Sequence, residues 1–199
     1  MPSCSPNSIG GLAGFVSFLA YSLYIISILR KKTRPSRSTW WILTLVGSII
    51  FWSSYALGAT ESFWIQSAYI IGPLIIALLS IKYGDGKKFS HLDKICFTGA
   101  IISCILWIAF NSPLIGLIGS IIVDFFGLLP TIKKAFLRPE KENPSAWLLE
   151  TTASILNAYA ITSWFSLDHK DWIYALYLLI INGGLTLLLW RKRIVKFFR

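Results

Sequence analysis

The chain has 199 residues, of which 55% are hydrophobic, 15% aromatic and only 14% charged, with a mean hydropathy of +0.63. A water-soluble domain carries about 25% charged residues, so this composition excludes an ordinary soluble surface and leaves an integral membrane protein whose main partner is the lipid bilayer. The formal charge of +10 would suit a nucleic acid, but the cations sit in short clusters between uncharged runs, which excludes a nucleic-acid binder.

Seven apolar runs follow in chain order. The first, Ile9 to Leu29, ends at Arg30-Lys31-Lys32. The second is Thr39 to Thr60, and the third, Phe63 to Ile81, stops at Lys82. The fourth, Ile95 to Phe110, is the shortest, and Asn111-Ser112-Pro113 breaks it from the fifth, Leu114 to Ile132. The sixth is Trp147 to Phe165, and the seventh, Trp172 to Trp190, closes on Arg191-Lys192-Arg193. Every Lys and Arg except Lys170 falls on alternate connections. The positive-inside rule therefore places the N-terminus outside and the C-terminus in the cytoplasm. No basic stretch precedes the first run, so no cleaved signal is expected. Cys4, Cys96 and Cys104 are odd in number and lack metal-site spacing. Trp40, Trp41, Trp64, Trp147, Trp172 and Trp190 lie at the ends of runs, where interfacial anchoring accounts for them.

The runs divide into three, one and three. Arg34-Pro35 follows the first run and Arg138-Pro139 the fifth, and Trp40-Trp41 and Trp147 open the runs after them. Three helices and a linker separate the copies, so both insert in the same direction, a parallel-repeat plan known among transporters. The expected fold is all-α and polytopic: a first bundle over 9–83, a linker helix over 94–111, a second bundle over 114–191 and a basic tail over 192–199.

Leu129-Pro130-Thr131 with Lys133-Lys134 and Ser145, Trp52-Ser53-Ser54-Tyr55, Leu156-Asn157 and Ile181-Asn182-Gly183-Gly184 resemble motifs of the PQ-loop superfamily, and within it of the SWEET sugar transporters. Thr131 stands where the Gln of that motif would be, and Pro73 about where the first bundle would carry a substrate-facing Asn. The resemblance implies a carrier of a small, sugar-like polar solute working by alternating access, without a cofactor; the bare loops and absence of extra domains suggest a prokaryotic plasma membrane, with an organelle as the alternative.

The polar residues inside the runs are the candidate site. Asp124 is an acid near the middle of a span, and Glu150 lies one turn into another. Each is a proton-coupling or substrate group, or else a structural acid, with Glu150 able to pair with Lys133 or Lys134. Asn182 offers donors and an acceptor to a solute, or an interhelical bond; Gly183 and Gly184 beside it would permit close approach. Asn157 and Tyr159 line the path or glue helices, while Trp52 with Tyr55, and Trp164 in the second half, offer rings to a sugar or anchor the interface. Pro130, Pro73, Gly72 and Gly183 are candidate hinges, with Tyr69 near the kink expected at Gly72-Pro73. The only histidines, His91 and His169, fall in connections on opposite sides, and there is no phosphate-binding glycine loop. An enzyme is not expected. The rival readings are a ligand-binding receptor or sorting protein of the same fold, and an assembly factor without transport; self-association stays open.

Overall fold

The computed structural model describes residues 6–57, 63–84, 91–161 and 171–197. These form seven α-helices: α1 (Pro6–Leu29), α2 (Arg37–Ala56), α3 (Phe63–Tyr83), α4 (His91–Phe110), α5 (Pro113–Leu137), α6 (Pro144–Ala160) and α7 (Asp171–Phe197). A single 3₁₀ turn, Pro139–Lys141, precedes α6.

The helix boundaries have local causes. Asn111 adopts a left-handed φ of 48°, which Asn tolerates better than most residues, and Pro113 then opens α5, where the missing N–H costs nothing. Asn143 caps α6, its side-chain oxygen accepting from the backbone N–H groups of Ser145 and Ala146. Several ends differ from expectation: α2 ends at Ala56 rather than Thr60, α4 opens at His91 rather than Ile95, and α5 runs to Leu137 rather than Ile132. α6 stops at Ala160 rather than Phe165, because Ile161 is already extended, with ψ at 124°. α7 continues to Phe197, so most of the expected tail is helical.

Five of these helices are long and apolar enough to cross a membrane: 8–29, 37–56, 63–83, 113–137 and 172–191. α4 contributes a shorter apolar stretch, Phe97–Phe110. α6 has 17 residues, about 25 Å of rise against a hydrocarbon thickness of roughly 30 Å.

Burial is inverted relative to a soluble protein. Phe15, Ile108, Ile180 and Leu187 are exposed, while Ser17, Gln66, Glu150, Asn157 and Asn182 are buried. An apolar exterior around a polar interior suits lipid and is unfavourable in water. Outward hydroxyls are also masked: Ser22, Ser67 and Thr152 each donate to the carbonyl four residues earlier. These three hydroxyls then present no bare donor to hydrocarbon. These features mark a membrane protein.

Packing obeys a two-fold pairing. α1 packs on α6 and α2 on α5; α3 packs on α1 and α2, and α7 on α5 and α6. Exchanging α1, α2, α3 for α5, α6, α7 returns the same set of neighbours. α4 rests on α5 and α2. Two glycines allow the first three helices to approach closely. A Cβ on Gly47 would lie 2.5 Å from the Tyr69 carbonyl oxygen, and one on Gly72 would lie 2.3 Å from the Tyr21 ring.

Candidate functional site

The two groups of three helices meet around a cavity of about 40 Å³, room for a few water-sized groups. Ala20 and Tyr21 of α1, Leu43 of α2, Pro73 of α3, Asp124 of α5, Glu150 of α6 and Asn182 of α7 all contribute to its wall.

Its polar groups form two hydrogen-bonded sets, one around Glu150 and one around Asp124. Asn182 donates its side-chain nitrogen to the Tyr69 hydroxyl at 2.6 Å and to Ser154 Oγ at 3.0 Å. Tyr69 in turn donates to Glu150 Oε2 at 3.1 Å. Ser17 donates to the same carboxyl at 3.0 Å. Asp124 accepts from Tyr177. Among the described residues neither acid has an ion-pair partner. A carboxylate buried without a cation is costly to keep, so its retention at a cavity is a functional signal.

The same wall carries aromatic rings. Tyr21 meets Tyr69 edge to face at 5.8 Å and Trp40 at 6.4 Å, and Tyr69 meets Tyr174 at 6.3 Å. Such edge-to-face pairs are favourable and hold the rings in fixed planes.

The two halves contribute unequally. Counted back from the Arg-Pro pair that follows each helix, Ala20 matches Asp124; counted from the opening Trp, Leu43 matches Glu150. Counted back from Lys82 and Arg191, Pro73 matches Asn182. All six line the cavity. The second half supplies the acids and the amide, and the first supplies apolar counterparts.

A second cluster closes one mouth. At the end holding the Arg30–Arg37 and Lys133–Lys141 segments, Glu142 is buried and paired with Lys134 at 2.5 Å. Tyr24 donates to Glu142 at 3.0 Å and the Trp147 indole at 3.3 Å. Lys134 also donates to the Arg34 carbonyl at 3.0 Å, and Asn143 to the Leu23 carbonyl at 3.3 Å. Tyr24 and Trp147 line the cavity as well, so this knot lies against it and ties the α1–α2 segment to the α5–α6 segment.

The sequence-predicted residues separate clearly. Asp124, Glu150 and Asn182 converge on the cavity, and Pro73 lines it. Lys134 takes Glu142 rather than Glu150. Trp52, Tyr55 and Tyr159 are exposed on the outer surface, at 57%, 59% and 77%, and do not line the cavity. Their helical phase puts them on the apolar, outward faces of α2 and α6. Trp164 lies outside the described residues. Asn157 is fully buried but away from the cavity, and both its side-chain polar atoms lack a partner among the described residues, as do Ser53 Oγ and Gln66 Nε2. Gly183 and Gly184 have nothing within 4 Å of an added Cβ, so neither serves close approach. Gly72 does, against Tyr21, and Pro130 sits inside an unbroken α5.

Sequence reasoning missed Trp40 and Trp147 as wall residues. Both stand at helix starts, where Trp reads as an interfacial anchor, yet both are buried. Tyr21, Tyr174 and Tyr177 gave no signal beyond ordinary aromatic content, and Glu142 resembled a solvated loop charge. Comparison with family models, with curated proteins and with solved structures finds no match to this chain.

Proposed function

We propose that this protein is a seven-span carrier, N-terminus outside and C-terminus cytoplasmic, that moves a small polar solute by alternating access between two three-helix bundles. One observation carries the reading: a cavity at the junction of the bundles, walled by both and holding Glu150, Asp124 and Asn182. The two-fold pairing of helices supports it, because two similar bundles about one site can rock to open either mouth. The three-one-three order of helices resembles the plan of the PQ-loop and SWEET carriers, and that likeness supports the reading. Glu150 and Asp124 are the groups available to couple a proton, and Asn182 orients the solute.

Uptake of labelled sugars, polyols, amino acids and small amines into proteoliposomes tests the proposal. For whichever solute is taken up, Asn182→Ala and Glu150→Gln are each expected to lower the rate roughly tenfold or more, the usual scale for losing a buried hydrogen-bonding or charged partner. Wild-type rates in both variants would rule out this site. Saturable binding without counterflow would favour a receptor of the same architecture.

Orientation has its own check. A tag placed after Arg199 is expected to be unreactive to a membrane-impermeant reagent in intact cells and reactive after permeabilisation. Labelling in intact cells would reverse the topology.

A further inference from the structure

We propose that the solute of this cavity is a small organic monocation, of the alkylammonium or guanidinium class, rather than a neutral sugar. The inference rests on the cavity being a solute site and narrows what that site takes.

Two observations point the same way. First, the wall holds two carboxyl groups, Asp124 and Glu150, and among the described residues no Lys, Arg or His pairs with either. The one ion pair among those residues, Lys134–Glu142, is spent on the mouth. A neutral polyol needs hydroxyl and amide partners and gains little from two uncompensated acids, whereas a cation supplies the missing countercharge.

Second, the same wall carries Tyr21, Tyr69, Tyr174 and Trp40, held edge to face. Tyr21 and Tyr174 stand within the field of both acids. Aromatic rings and carboxyl groups lining one cavity are the components of a cation-binding cage, in which the ring quadrupole attracts ammonium and guanidinium groups.

Size limits the occupant. About 40 Å³ admits on the order of three or four non-hydrogen atoms. A guanidinium ion fits, and its planar fork matches a carboxylate while its face stacks on a ring. A hexose does not fit this conformation.

Guanidinium and urea make the decisive pair, since they share shape and size and differ in charge. Full-length protein in detergent would be titrated with each at millimolar concentration, followed by tryptophan fluorescence and thermal shift, and the same solutes would be assayed for proteoliposome uptake. Guanidinium is expected to bind saturably and urea not to bind. Asp124→Asn and Glu150→Gln are each expected to weaken guanidinium binding more than about tenfold, with elution profile and circular dichroism unchanged. Equal binding of the two solutes, or guanidinium binding unaltered in both variants, would overturn the inference. Should either variant fail to fold, the wild-type comparison decides alone. Guanidinium binding without flux would leave the cation site standing and remove the carrier. Asn182-dependent uptake of a neutral solute that guanidinium does not inhibit would do the reverse.

Discussion

Replacing Lys134 with Met is expected to destabilise the protein by about 3–5 kcal/mol, the cost of leaving a buried charge without its partner. Glu142 is buried, and Lys134 pairs with it at 2.5 Å while also holding the Arg34 carbonyl. Removing the ammonium leaves Glu142 with only the Tyr24 hydroxyl and the Trp147 indole as donors. Adding Glu142→Gln to Lys134→Met removes the orphaned charge and should recover much of the loss. The pair is thus measured by a double-mutant cycle on thermal or denaturant unfolding in detergent. An unaltered midpoint in the single variant would show that the pair is solvated and not a structural tie.

The second large effect is expected at Gly47. A Cβ there meets the Tyr69 carbonyl oxygen at 2.5 Å, and this neighbour is backbone, which cannot swing aside. Gly47→Ala should cost about 1–3 kcal/mol and Gly47→Val more, in line with overpacking of a dense interior. The damage should also reach the site, because shifting Tyr69 breaks its bonds to Glu150 and Asn182. Gly183→Ala is the control. It has open space around it and gains up to about 1 kcal/mol of helix propensity, so its unfolding midpoint should be equal or higher. If Gly47→Val matched the wild type, the close α2–α3 contact would be wrong.

The legibility of this protein divides along a physical line. Apolar runs long enough to span hydrocarbon are visible because length and hydropathy act locally, so α1, α2, α3, α5 and α7 are found where they were expected. Asp124, Glu150 and Asn182 were visible for a related reason: a polar group in a greasy run is conspicuous whatever the fold. Which way a residue faces is not local. Trp52 and Tyr55 match a motif by spacing, yet they lie on the outward face of α2, while Trp40, twelve residues earlier, turns inward. Glu142 was the least visible. In a charged connection an acid reads as a solvated surface residue, and only the convergence of α1, α5 and α6 reveals that it is enclosed.

Three side-chain pairs cross between the two bundles midway along their helices, and all begin or end on a first-bundle hydroxyl: Ser17 with Glu150, Tyr69 with Glu150, and Asn182 with Tyr69. Pulling the bundles apart strips these contacts together. If the protein is the carrier proposed above, its vacant form bears that loss unaided, whereas cargo on the acidic wall replaces the departing hydroxyls. The loaded form should therefore make the crossing more readily than the vacant one, and swapping labelled for unlabelled cargo should run faster than one-way discharge.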